Sequence, residues 1–277
     1  MKIELAKSYG FCFGVRRAIK QAEKTKNAAT IGPLIHNNDE ITRLKKDFNV
    51  NTLSDISELK DEKKVIIRTH GITKDDLQVL KDSKREIIDA TCPFVKKPQE
   101  IVEKMSNEGY EIIIFGDVNH PEVKGVKSYA NTNVYVVLSE KELESIKFSN
   151  KVALISQTTK KIEQFIQIAN YLILKVKEVR VFNTICDATF KNQEAVKNLA
   201  MKNDIIIIVG GKNSSNTKQL FLIAKEYCKD SYLIENEDEV CKKWFENKNN
   251  CGVSAGASTP NWIIDKVIKK IESFNLN

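Results

Sequence analysis

Short runs of β-branched residues alternate with amphipathic helical stretches along almost the whole chain. KKVIIR, EIIIFG, KVALIS, VRVFN and DIIIIVG read as strands, and segments such as TKDDLQVLKDS and TKQLFLIAKEY between them carry apolar residues at helical spacing. Strands separated by helices predict an α/β protein with mostly parallel sheets. A strand-like run ends near a cysteine, with a helix following, at SYGFCFGVRRAIKQAEK, IIDATCPFVKKPQEIVEK and FNTICDATFKNQEAVKNLA. Cys12, Cys92 and Cys186 would then each belong to one of three similar modules. Their boundaries are expected at 10–91, at 92–183, and at 184–277 joined by an N-terminal strand at 1–9.

Ligands of parallel α/β sheets gather beyond the carboxyl ends of the strands, where loops vary freely and helix N-termini aim amides at anions. The polar clusters of this chain fall at those places. His70 follows KKVIIRT, Asn119 to Glu122 follow EIIIFGDV, Gln157 to Thr159 follow KVALIS, and Lys212 to Thr217 follow DIIIIVGG.

Cys12, Cys92 and Cys186 each precede a helix, where amides and the helix dipole favour the thiolate that ligates a metal. The chain has no C-x-x-C pair, so spacing alone favours buried structural thiols over the common zinc and ferredoxin patterns. Cys228, Cys241 and Cys251 keep that packing role. Should the first three converge, they supply three thiolates where a cubane cluster takes four, leaving one iron open to a substrate oxygen.

The three histidines, His36, His70 and His120, all lie in glycine- or proline-containing loops, GPLIHNN, RTHGI and NHPEVKG. A lone loop histidine is ordinarily surface, but three of three shifts the reading toward anion binding or proton handling. Glu122, just after Pro121, is either a first-turn acid favoured by the dipole or a proton donor. GGKNSSNTKQLFLIAKEY is built like a phosphate cradle at a helix N-terminus, with simple N-capping as the alternative, and it lacks the Walker A order. A second small-residue loop, GVSAGASTPNW, places Pro260 at a helical first turn behind Ser258 and Thr259.

The net charge of +7 suits an anionic partner, but the lysines are dispersed over helical stretches rather than gathered in a tail, which argues against nucleic acid. The N-terminal MKIELAKSYGF has no apolar core of signal-peptide length, and the longest aliphatic run, Ile205 to Val209, is too short for a membrane span. The expectation is a cytoplasmic protein with no membrane partner.

Taken together, GFCFGVRRA, GPLIHN, HGI, DATCPFV, NHPEVKG, SQTT, TICDAT, KNSSNT and GVSAGAST closely resemble the 4-hydroxy-3-methylbut-2-enyl diphosphate reductase (IspH/LytB) family, in the family's order and nearly end to end. The resemblance implies three α/β modules in pseudo-threefold arrangement around a central 4Fe-4S cluster held by Cys12, Cys92 and Cys186. It implies an allylic diphosphate substrate gripped by His36, His70, His120, Ser214, Ser215, Asn216 and Ser258, with Glu122, His120 and Thr158 managing protons near its hydroxyl. Reductive loss of that hydroxyl would give isopentenyl and dimethylallyl diphosphate, with reduced ferredoxin or flavodoxin as electron donor. Asn192 and Asn261 stand where the family pattern carries Arg and Asp, and read as helix-anchoring or capping changes. Pro98 is expected to kink or delay the helix after Cys92. Two rivals remain: a non-catalytic iron-sulfur sensor or scaffold, which has no use for the histidines and phosphate loop, and a nucleotide or nucleic-acid module, which leaves the three cysteines idle.

Overall fold

The computed structural model describes residues 1–274; the last three positions of the 184–277 segment lie outside them. Its strands are β1 Lys2–Leu5, β2 Ala28–Ile31, β3 Val50–Leu53, β4 Lys64–Ile67, β5 Glu86–Asp89, β6 Glu111–Phe115, β7 Val134–Val137, β8 Lys151–Ser156, β9 Glu178–Val181, β10 Ile205–Val209, β11 Ser231–Ile234 and β12 Asn250–Ala255. The α-helices are α1 Phe13–Thr25, α2 Asn38–Phe48, α3 Lys74–Asp82, α4 Pro93–Asn107, α5 Pro121–Lys127, α6 Ile162–Lys175, α7 Asp187–Ala200, α8 Ser215–Tyr227 and α9 Asn261–Glu272.

These strands build three four-stranded sheets, ordered β3-β2-β4-β5, β7-β6-β8-β9 and β11-β10-β12-β1, in which every pairing is parallel. Numbered within itself, each of the first two sheets runs second, first, third, fourth. The third repeats that order with one change, since its fourth place is taken by β1, which pairs with β12 from Lys2 opposite Asn250 to Leu5 opposite Val253. One topology therefore occurs three times. By internal contacts the chain separates into two compact units, one of Met1–Arg16, Ile35–Arg43 and Asp187–Asn277, the other of Arg17–Leu34 and Leu44–Cys186. The first unit holds the sheet containing β10, and the second holds the other two sheets.

A parallel sheet covered by helices buries both faces of its central strands, so those strands are continuously apolar. In β10, Ile205, Ile207 and Val209 pack with Ile263, Ile264, Val267 and Ile271 of α9, while Ile206 and Ile208 point the other way into Val196, Leu199, Leu220 and Ile223 of α7 and α8. Ile112 and Ile114 of β6 pack with Val102 and Met105 of α4 and Val123 and Val126 of α5. Val65 and Ile67 of β4 pack with Leu80 of α3. Each such side chain contributes on the order of 1.5–3 kcal/mol on burial. With both faces committed to packing, only strand ends and the loops beyond them are free to bind anything.

One local expectation is narrowed and another corrected. α4 is not delayed by Pro98: it starts at Pro93, directly after Cys92, and continues through the buried Pro98. Pro93 occupies a first-turn position where its fixed φ suits a helix and its missing N–H is no loss. Pro260 is the residue before α9 rather than its first turn, with extended backbone at φ −74° and ψ 153°. Asn192, buried in α7, accepts a hydrogen bond from the Ser8 hydroxyl at 2.6 Å, anchoring that helix to the segment after β1.

The turn after β12 is packed to the limit of a glycine. A Cβ on Gly256 would collide with the Thr217 hydroxyl and lie 3.1 Å from Thr217 Cβ, which is fixed to the buried start of α8. Gly256→Ala is expected to cost roughly 1–3 kcal/mol by overpacking. Urea denaturation should show it as a lower midpoint at unchanged slope.

Candidate active site

In each sheet the candidate residues follow the same strands. Segments carrying His36, His120 and Ser214–Asn216 follow β2, β6 and β10, the first strand of each order; His70, Thr158 and Ser258 follow β4, β8 and β12, the third. First and third strands lie side by side; in the first two sheets the chain leaves them toward opposite edges, and in the third the first strand leads to one edge while β1 lies at the other. This is the switch point beyond which α/β sheets bind ligands. Cys12, Cys92 and Cys186 follow β1, β5 and β9, the fourth strand in all three cases.

In the unit carrying β10, the Cys12 N–H donates to Ala257 O at 3.1 Å, and Gly10, at φ +69°, donates to Ala255 O. The cysteine loop thus runs beside the Ser258 loop. Ser258 donates its hydroxyl to the His36 carbonyl at 3.1 Å. Gly211 lets the opposite loop approach the same carbonyl, since a Cβ there would collide with it. Ser214 caps α8, accepting the Thr217 N–H at 3.3 Å, which supports the capping reading of that hydroxyl. Asn216 is different: it is 95% buried at a helix start, and neither its amide nitrogen nor its carbonyl oxygen has a protein partner. A buried amide without partners costs free energy that a ligand can recover.

In the other unit, Cys92 is the N-cap of α4, and its N–H donates to Thr69 O at 3.0 Å. Arg17 donates to the carbonyls of Asp89 and Thr91, holding the approach to that cysteine. His120 caps α5, its Nδ1 accepting the Glu122 N–H at 3.2 Å, and its ring meets that of His70 edge-on at 5.4 Å between centroids. Glu122 is 2% exposed. Its Oε1 accepts the Thr158 N–H at 2.6 Å and its Oε2 the Thr158 hydroxyl at 2.7 Å. The Thr158 carbonyl in turn accepts the Cys186 N–H at 3.1 Å, placing the third cysteine one residue from the acid pair.

Burial pushes the Glu122 carboxyl above the usual carboxylate range, against the opposing pull of the Thr158 hydrogen bonds and the Lys160 charge. Lys160 itself is only 8% exposed, and burial lowers its pKa. No sequence signal marked it beyond its place in SQTTK, because a lysine is presumed exposed until packing shows otherwise. Cys228 and Cys251 are buried, and burial pushes the Cys251 thiol up to about 12, which suits packing rather than ligation. All six cysteines are free of disulfides, with Cys12, Cys92 and Cys186 partly accessible.

Among the described residues no helix is long and apolar enough to cross a membrane. A sequence model of the LytB protein family matches residues 3–272. The chain is 71% identical over 274 residues to a 4-hydroxy-3-methylbut-2-enyl diphosphate reductase of Campylobacter lari, covering 99% of each. It is 69% identical to one from Campylobacter jejuni over the full length of both. Among solved structures, an (E)-4-hydroxy-3-methyl-but-2-enyl diphosphate reductase, described as the terminal enzyme of the non-mevalonate pathway, shares 41% identity at a TM-score of 0.71, with 99% of this chain and 100% of that one covered. The E-1-hydroxy-2-methyl-but-2-enyl-4-diphosphate reductase of Plasmodium falciparum shares 27% identity at a TM-score of 0.91, covering 97% and 87%. With a family model spanning nearly every residue and relatives this similar along their whole length, the chain belongs to the LytB family.

Proposed function

We propose that this protein is an oxidoreductase that removes the allylic hydroxyl of (E)-4-hydroxy-3-methylbut-2-enyl diphosphate, yielding isopentenyl and dimethylallyl diphosphate. The observation that carries the proposal is the recurrence of one partly accessible cysteine, outside any disulfide, after the fourth strand of each of three like sheets. Three thiolates from equivalent positions fit a 4Fe-4S cluster with Cys12, Cys92 and Cys186 as its ligands. When bound, that cluster supplies the electrons and a Lewis-acidic iron for the substrate oxygen. Two electrons and two protons break the C–O bond, release the hydroxyl as water and form one new C–H bond, with one carbon–carbon double bond kept, which balances the reaction. A reduced ferredoxin or flavodoxin is the donor that such one-electron chemistry suits.

The chain's own residues bind, orient and protonate. Asn216, whose buried amide has no protein partner, offers one donor and one acceptor to the diphosphate and its hydration. Ser214, Ser215 and Ser258 add short hydroxyls at helix starts, and His36, His70 and His120 add imidazoles able to donate to phosphate oxygens. Glu122, kept protonated to higher pH than a free carboxyl, passes its proton to the Thr158 oxygen 2.7 Å away as the Thr158 hydroxyl gives its own proton to the departing oxygen, which leaves as water.

Anaerobic reconstitution with iron and sulfide analysis tests the ligand set. Ser replacements of Cys12, Cys92 and Cys186 should each abolish the intact cluster and turnover, whereas Cys228, Cys241 and Cys251 replacements should keep both; an essential cysteine in the second group overturns the assignment. Glu122→Gln should retain the cluster and lower kcat by about 10²–10⁴-fold, the usual contribution of a positioned general acid. The sign of the pH dependence follows from the raised pKa: wild-type kcat is full while Glu122 holds its proton and falls as pH rises through the folded value. That limb should vanish in the Gln variant, and its survival would remove Glu122 from the proton route.

A further inference from the structure

Glu40, and Trp262 at the end of the GVSAGASTPNW loop, are not among the candidate site residues, yet both are tied to the His36 and Ser258 segments. Glu40 is 1% exposed in the first turn of α2, where the Asn37 side chain accepts its N–H at 2.9 Å. The sequence N-x-x-E reads as a capping box, in which the acid would reach back to the cap's own N–H. Here the carboxylate turns elsewhere. Arg43 grips it from one helical turn on, Nε to Oε2 at 3.0 Å and Nη2 to Oε1 at 2.6 Å, and the Trp262 indole N–H of α9 donates to Oε2 at 3.0 Å. Lys266 lies 5.2 Å from the centre of the Trp262 ring and pairs with Glu237 at 3.0 Å.

Two bonds thus join the same two segments in register. Ser258 reaches the His36 carbonyl, and Trp262, four residues on, reaches Glu40, also four residues on. If Ser258 donates to a phosphate oxygen, as the proposed function requires, its hydroxyl must leave the His36 carbonyl. The Trp262–Glu40 bond does not compete with substrate and remains. We infer that Glu40 and Trp262, with Arg43 fixing the carboxylate plane, are positioning residues that keep the His36 segment in place when Ser258 turns to the diphosphate. The inference rests on the diphosphate-site reading above. A buried carboxylate is well suited to the task, because a bidentate Arg and a single indole donor leave it few alternative orientations.

The test uses the reconstituted enzyme and inorganic diphosphate as the probe. Trp262→Phe keeps an aromatic ring, though a smaller one, and leaves the Glu40–Arg43 pair intact while deleting the donor. It should raise the Kd for inorganic diphosphate and the KM for the allylic diphosphate together by about tenfold, the loss of one hydrogen bond to a charged group, with a smaller change in kcat. Glu40→Gln, which keeps the bulk of the side chain, should move both constants in the same direction. Melting temperature is followed in parallel. A Kd that stays at the wild-type value in both variants overturns the inference, including when the melting temperature falls, since that outcome is purely structural support. Asn216→Ala is the control for the site itself: if it weakens inorganic diphosphate and Trp262→Phe does not, the positioning role alone fails. If neither variant weakens it, the diphosphate site and the role built on it fall together.

Discussion

Everything in this molecule depends on burying both faces of short parallel strands. A strand such as β10, fully buried from Ile205 to Val209, can present nothing but packing along its sides. The chain must carry each crossover helix over one face or the other, and chemistry is left only the loops beyond the strand ends. Because the first and third strands of every sheet are neighbours with the second and fourth strands on opposite sides of them, the switch point recurs three times over. His36, His120 and the Ser214–Asn216 loop come from first strands, and His70, Thr158 and Ser258 from third strands. The cysteines come from the fourth. Division of labour by strand position follows from topology before any side-chain chemistry is considered.

The electrostatic character of the two units differs in a way that suits their proposed tasks. The unit carrying β10 offers neutral hydroxyls and an amide at the start of α8, while Lys212 of the same loop is paired with Glu239 at 2.7 Å. The unit carrying β6 buries a carboxyl against a threonine, and the cost of a buried charge favours the protonated acid. The two Thr158 hydrogen bonds and, after them, the Lys160 charge oppose that shift, so the acidity of Glu122 is a balance between desolvation and these three contacts.

Local patterns that rest on chain geometry were readable. The KVALIS, EIIIFG and DIIIIVG runs are β8, β6 and β10, and the Thr73 start of TKDDLQVLKDS caps α3. Patterns that rest on competition between local and tertiary partners were not. N-x-x-E at Asn37 gives a capping side chain, but its glutamate is drawn to Arg43 and to Trp262, 222 residues away. Pro98, locally a helix breaker, sits inside α4 because burial among Val95, Val102 and Met105 outweighs the lost hydrogen bond.

By itself the sequence determined the α/β class, the strand-loop-helix placement of every candidate residue and, through motif order, the family, because periodicity, capping and motif order are all written locally along the chain. From the sequence the N-terminal strand is joined to the 184–277 segment; only the tertiary structure decided that β1 takes the fourth place there, beside β12, which gives Cys12 the same place as Cys92 and Cys186. Spacing rules for cysteine ligands describe loops closed within a few residues, and intervals of 80 and 94 residues carry no such information. Strand order supplies it instead, since parallel pairing between Lys2–Leu5 and Asn250–Val253 is a contact between the two ends of the chain that no local pattern encodes.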